Sequence, residues 1–287
     1  MTQLASDLIK LNNLQLAGRL ISDELMLGIH ASKRSGAGTE FEQYRHYISG
    51  DDPKRIDWKL YARSGKHLVR ESSTESNLHL RFVIDLSGSM NYREDSIRRL
   101  DYAKLILASL AYLGYRQGDK LSLYALQKGG VQTLVPAGKQ SFQKVLYALQ
   151  TAQATGTWFA GTPKFPEFQS SQKEVLVMVS DFLQIGQEWL DLIKQLANPR
   201  RDVVLFQVLG DQEVNFSLSG FYRFKDLETG KEIELQAEAI RERVQQAATL
   251  YLQQLEEQLR IPNVQLIRVQ LSDSIALVLK KFLMGRP

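Results

Sequence analysis

Along the chain, apolar residues fall into two textures. Up to about Leu27 they recur at mixed helical spacing, whereas residues 30–76 are rich in charge, glycine and serine, with turn signals at Ser35-Gly36, Ser49-Gly50-Asp51 and Ser64-Gly65. Short strands and turns are expected in that segment rather than long helices. From His79 onward, strand and helix patterns alternate. LHLRFVIDL (78–86) is dense in strand formers, and the segment after it sets Leu100, Ala103, Leu107, Leu110 and Gly114 on one helical stripe that ends near Gly118. KLSLYALQ and VQTLVP, joined through Gly129-Gly130, predict a hairpin at a sheet edge, because the glycines supply the positive φ of a tight turn. SFQKVLYALQTA, KEVLVMVSDF, GQEWLDLIKQLA and DVVLFQVLG then read as helix, buried strand, helix and buried strand. A hairpin insert, GFYRFKDLETGKEIEL, precedes a long helix with Ile240, Val244, Ala247, Tyr251, Leu255 and Leu259 in register, the strand VQLIRVQL and the helix DSIALVLKKFL.

Continuous apolar strands separated by helices imply a parallel sheet covered on both faces. The expected fold is α/β: a doubly wound, Rossmann-like, mostly parallel sheet over residues 79–287, with a hairpin insert near 211–236. Residues 1–78 are expected to form an N-terminal helix followed by a charged, polar, β-rich extension.

Composition changes this picture in three ways. The chain has 287 residues, 44% of them hydrophobic, enough for a packed core. Its 36 basic and 32 acidic side chains are interleaved, so the net charge of +4 says little about partners, and acids among the basic stretches disfavour a nucleic-acid surface. The absence of cysteine excludes disulfides, thiolate metal sites and thiol catalysis, and fits a reducing compartment. The longest apolar run, LILASLAYLGY (105–115), is shorter than the roughly 20 residues a membrane-spanning helix needs, and the N-terminus carries no targeting pattern. A cytoplasmic protein without membrane insertion is expected.

The candidate chemistry lies in FVIDLSGSM (82–90). In an open α/β sheet, ligands bind beyond the carboxyl ends of the strands, where the winding reverses, and Asp85 stands at such an end. Alternation of Asp85, Ser87 and Ser89 can turn three oxygens toward one point. An all-oxygen set suits a hard cation, Mg²⁺ or Mn²⁺. One carboxylate with two hydroxyls leaves such an ion undercharged and open to a carboxylate from outside, which is a binding mechanism rather than a catalytic one. Ser180-Asp181 closes a second buried strand, and a glycine-containing loop offers Thr157 or Thr162. Taken alone, the Asp-x-Ser-x-Ser string also reads as a solvated cap or turn.

A metal-dependent hydrolase or phosphatase using Asp85 is the rival class. A phosphoryl-accepting aspartate calls for an acid two residues later, where Ser87 stands. A serine hydrolase calls for a Gly-x-Ser-x-Gly elbow and a histidine base, yet DLSGSM lacks that frame and His30, His46, His67 and His79 all precede it. No glycine-rich phosphate loop follows a strand, so any ATP would belong to a partner.

DLSGSM before a helix, the Gly-Thr loop and the strand-terminal SDF resemble a von Willebrand factor A domain with its metal-ion-dependent adhesion site. The resemblance implies that Asp85, Ser87 and Ser89 form the first metal loop, Thr157 the second and Asp181 the third. The segments SGAGTEFEQYRHYISGDDPKRIDWKLYARSGKHLVRE (35–71) and DQEVNFSLSGFYRFKDLETG (211–230) resemble the bacterial domain of unknown function 58 family. That likeness implies an adaptor working beside a MoxR-type AAA+ ATPase, with the chain starting just ahead of the signature and therefore a soluble form.

In the signature, Arg45, Asp51, Asp52, Arg55, Asp57, Lys59 and Arg63 surround Tyr44, Tyr47 and Trp58. Either ion pairs dock a small extension, or Arg45, Arg55, Trp58, Lys59 and Arg63 form a partner surface, since Arg, Tyr and Trp are favoured interface anchors. Trp158 and Phe159, beside Thr157, read as packing residues that would border the open coordination position of a cation.

Overall fold

The structure, a computed structural model, describes residues 5–10, 13–35, 44–48, 53, 56–70, 78–127, 130–138, 140–156, 165, 173–183 and 187–284. They fall into two compact units, one of Met1–Met26 with Asn77–Pro287 and one of Leu27–Ser76.

In chain order the elements are α1 (Ala5–Lys10), α2 (Leu14–Ser35), β1 (Tyr44–His46), α3 (Trp58–Ser64), β2 (Leu68–Arg70) and β3 (His79–Asp85). A 3-10 turn (Gly88–Asn91), β4 (Arg93–Glu94), β5 (Ile97–Arg98), α4 (Arg99–Gln117), β6 (Lys120–Gln127), β7 (Gly130–Gly138) and α5 (Phe142–Thr151) follow. The chain continues through β8 (Glu174–Ser180), α6 (Gln187–Leu196), β9 (Arg201–Leu209), α7 (Asp211–Val214), β10 (Phe221–Lys225) and β11 (Glu232–Gln236). It closes with α8 (Ala237–Gln258), β12 (Val264–Gln270) and α9 (Ile275–Met284).

The main sheet has the order β12-β9-β8-β3-β6-β7. All its pairings are parallel except β6 with β7, the hairpin that the two glycines predict, and β7 is the edge strand that tolerates Pro136. Because β6 lies on one side of β3 and β8 on the other, the winding reverses at β3, which makes the β3/β8 carboxyl ends the switch point. Right-handed crossovers in opposite directions place helices on both faces. On one face α6 and α8 cover Val83, Leu176, Met178, Val203 and Leu205. On the other, α4 and α9 lie against the alternate residues, with Phe206 packed edge-on to Phe282 at 5.6 Å between centroids. The α4 stripe is fully used: Leu100, Ala103, Leu107, Leu110 and Gly114 are all buried, and Gly118 caps the helix at φ 77°.

The expected division at residue 78 differs from the packing. Residues up to Met26 group with the sheet because Leu8, Ala17, Ile21 and Leu25 are buried, and small residues let α2 approach α4 closely. A Cβ on Gly18 would stand 3.1 Å from the Ala108 carbonyl, and Ser22 Oγ donates to the Ser109 carbonyl at 2.9 Å. The signature segment also holds helix: α2 runs on to Ser35, and the seven-residue α3 lies between β1 and β2 in the chain. Asp57 explains α3, since its Oδ1 accepts from Lys59 N and Leu60 N, each at 3.0 Å, while Gly65 ends the helix at φ 66°. Among the described residues of Leu27–Ser76, the paired strands are the short antiparallel β1 and β2. The register expected for α8 holds only in part. Leu255 and Leu259 are buried, but Ile240 and Val244 are half-buried and Ala247 is exposed, because the first half of the helix stands beside the hairpin insert rather than on the sheet.

Candidate functional site at the sheet switch point

Three segments meet at the carboxyl end of the sheet, two of them leaving β3 and β8 and one following α5, and are stitched together by hydrogen bonds. Thr155 N donates to the Leu86 carbonyl at 2.8 Å and Gly88 N to the Gly156 carbonyl at 2.5 Å, joining the Asp85–Ser89 loop to the loop after α5. Asn91 Nδ2 adds a bond to the Ala154 carbonyl at 2.8 Å. From the third segment, Ser180 Oγ donates to Asp85 Oδ2 at 2.6 Å, and the other Asp85 oxygen accepts from Ser87 N at 2.8 Å. Ser87 and Ser89 bring their hydroxyls to 3.0 Å of each other. Asp85, Ser87, Ser89 and Asp181 are therefore gathered at one sheet end, with Asp85, Ser87 and Asp181 buried and Ser89 half-buried. Thr157, Thr162, Trp158 and Phe159 lie outside the described residues, although Gly156, which precedes Thr157, is fixed on Gly88.

The strand-end turn after β8 has a feature no sequence signal marks. Phe182 adopts φ 52°, a left-handed conformation unusual for a bulky side chain, and is held there by burial and by a bond from its N–H to Ser180 Oγ at 3.0 Å. This sharp turn lets Asp181 Oδ1 accept from Leu183 N at 3.2 Å while Oδ2 faces Arg99.

Arg99, absent from the sequence-derived set, is the organising cation. Its Nη1 donates to Asp181 Oδ2 at 2.5 Å and to the Ser89 carbonyl at 3.0 Å, its Nη2 pairs with Glu213, and its guanidinium lies 4.7 Å above the Tyr92 ring centroid. Glu213 Oε2 also accepts from Gly210 N at 2.8 Å, which ties the loop after β9 to the same network. Two carboxylates, Asp181 and Glu213, thus share the Arg99 guanidinium, while Asp85 is held by Ser180 Oγ and Ser87 N. Burial, and then the neighbouring Asp181 charge, push the Asp85 carboxyl up to about 7, against the bonds it accepts from Ser180 and Ser87.

The signature residues form a different neighbourhood in Leu27–Ser76. Trp58 is 56% exposed, meets Tyr61 edge-on at 5.9 Å, and Tyr61 stacks on His67 at 4.4 Å, with Lys59 and Arg63 exposed alongside. Asp57 serves as the helix cap described above. Arg45 lies in β1 with its side chain outside the described set, as is Arg55 entirely.

Fold and site define the class: an α/β protein with a polar, carboxylate-rich cluster at its switch point. The family model described as "Protein of unknown function DUF58" matches residues 43–253, and the chain belongs to that family. The "Uncharacterized protein Rv1480" of Mycobacterium tuberculosis is 26% identical over 229 residues, covering 77% of this chain and 70% of that protein. Among solved structures, the "conserved hypothetical protein BatB" from Bacteroides thetaiotaomicron is similar at 14% identity and TM-score 0.46, covering 72% of this chain and 97% of that one. The SpRpn10 VWA domain is similar at 11% identity and TM-score 0.43, covering 70% and 93%. The fold assignment rests on the strand order rather than on these scores. Among the described residues, no helix is long and apolar enough to cross a membrane.

Proposed function

We propose that this chain is a non-catalytic, divalent-cation-dependent protein-binding module. The observation that supports it is the convergence of two hydroxyls and two buried carboxylates from separate strand ends, in a cluster of three carboxylates of which two, Asp181 and Glu213, pair with a single guanidinium. Such a donor set is oxygen-only and carries excess negative charge, which fits Mg²⁺ or Mn²⁺. Ser87 and Ser89 would hold the ion through their hydroxyls, Asp85 and Asp181 through their carboxylates, and Thr157 from the adjoining loop. The ion supplies a positive centre with a position for a partner's Asp or Glu. The residues of this chain orient that centre: Ser180 fixes Asp85, and Arg99 fixes Asp181 and the Ser89 carbonyl.

The partner proposed is a MoxR-type AAA+ ATPase, served in the cytoplasm by an adaptor for assembly or maturation of protein complexes. Trp58, Lys59 and Arg63, with Arg45 and Arg55, are the proposed second contact, and Trp158 and Phe159 the flank of the cation. Sedimentation of the chain with a co-encoded MoxR-type ATPase tests this. Association that requires Mg²⁺, disappears with chelator and is lost in Ser87→Ala supports the reading. Association indifferent to Mg²⁺ and to Ser87→Ala sinks it.

A further inference from the structure

A groove of about 800 Å³ lies between α5 and the edge strand β7, within the roughly 300–1,000 Å³ of ligand-binding clefts. Leu86, Leu134, Val135, Pro136 and Ala148 give it an apolar wall. Other parts of the lining are fixed by hydrogen bonds. Lys104 Nζ donates to the Ala152 carbonyl at 2.7 Å, Gln127 Nε2 to Thr155 Oγ1 at 2.9 Å, and Thr155 N to the Leu86 carbonyl at 2.8 Å. The groove is therefore preformed.

Its polar groups are few and unspent. Gln143, Lys144 and Gln153 line it and are exposed, and among the described residues their side chains have no hydrogen-bond or ionic partner. Lys144 is the one charged side chain in the described lining, so the groove is complementary to a negative group. The two amides both donate and accept, as a peptide backbone does. Tyr147, 70% exposed, belongs to the same lining, and an aromatic ring left this bare is a favoured interface anchor. β7 ends the sheet order, so among the described residues its outer main-chain groups have no strand partner. An extended backbone matches such an edge, whereas a compact small molecule does not.

We propose that this groove docks an extended peptide segment of a protein partner, with aliphatic side chains against Leu134, Val135 and Ala148 and an acidic side chain against Lys144. The groove goes beyond the cation-dependent reading and does not need it, because its described lining includes none of Asp85, Ser87, Ser89 and Asp181.

The test is selection of a random-peptide phage library on the immobilised full chain in EDTA, with counter-selection on the double variant Lys144→Glu, Tyr147→Ala. Enriched sequences are then made as fluorescent peptides and titrated by anisotropy. They are expected to combine an acid with aliphatic residues and to lose at least about tenfold in affinity for Lys144→Glu and for Tyr147→Ala. Arg243→Glu, an exposed position on α8 outside the groove, should match the unmodified chain. Both groove positions are exposed, and circular dichroism checks that the variants fold. No enrichment over the double variant, enriched peptides without an acid, or equal binding by Lys144→Glu overturns the proposal. The chelator keeps this result separate from the cation reading: peptide binding in EDTA upholds the groove even in a chain that binds no Mg²⁺.

Discussion

Arg99, the first residue of α4, and Asp181, just beyond the end of β8, form an ion pair of 2.5 Å in which both side chains are 1% exposed. The pair bridges the switch point. Because Arg99 also holds Glu213 and the Ser89 carbonyl, one guanidinium sets the relative position of three loops.

Removing that guanidinium strands Asp181 and Glu213 without their shared counter-charge. Arg99→Met is expected to lose about 3–5 kcal/mol of stability, measured by guanidinium chloride unfolding, the usual cost of breaking a buried pair from one side. Arg99→Lys should recover only part of the loss, since a single ammonium cannot reproduce a planar fork to several acceptors.

A second buried network stands at the opposite end of the sheet. Glu174, 3% exposed, receives Arg81 Nη2 at 2.5 Å and Arg201 Nε at 2.8 Å, which hold its carboxylate below the usual range despite burial. Glu174→Gln leaves both guanidiniums facing a neutral amide and should cost about 3–5 kcal/mol in the same assay. Mn²⁺ affinity should be unchanged in the folded fraction, because this network lies far along the strand from Asp85.

His79, beside that network, gives a pH dependence with a defined sign. Burial, and then the Arg81 guanidinium, push its imidazole down from 6.5 to about 4, while its Nε2 lies 3.0 Å from Ser122 Oγ. The unfolded chain takes up a proton near pH 6.5 that the folded chain refuses until about pH 4. The stability tied to this residue is therefore whole above 6.5 and is lost as pH falls toward 4. Urea unfolding between about pH 7 and pH 4.5 should show the unmodified chain losing about 1–2 kcal/mol more than His79→Gln.

Gly88→Ala places a methyl group against the Leu227 carbonyl. The hairpin tip must then lift, and trypsin should cut at Lys225 or Lys231 faster than in the unmodified chain. Equal cleavage rates would contradict the seating of the tip on Gly88.

The parallel sheet was legible because its signals are local and redundant: β3, β8 and β9 read as continuous apolar runs, α4 has an uninterrupted stripe, and Gly118 marks its end. The positions of Asp85 and Asp181 were legible for the same reason, since each closes such a run. Arg99 and Glu213 were not, because their pairing joins residues 114 apart in the chain and no spacing rule connects them. The left-handed Phe182 was equally hidden, as a bulky residue carries no signal for that backbone. α3 was readable in principle from Asp57 and Gly65 at its two ends, but the dense charge between turn signals masked a seven-residue helix. The extent of α2 was missed because its later turns carry His, Ser, Lys and Arg in place of a continuing apolar stripe.

The central claim is that the switch-point cluster binds a divalent cation. Isothermal titration of Mg²⁺ into the chain and into Asp85→Ala tests it most directly. The account predicts one ion bound by the unmodified chain and none by Asp85→Ala, with both proteins folded by circular dichroism. Failure of the unmodified chain to bind Mg²⁺ or Mn²⁺, or undiminished binding by Asp85→Ala, would contradict it.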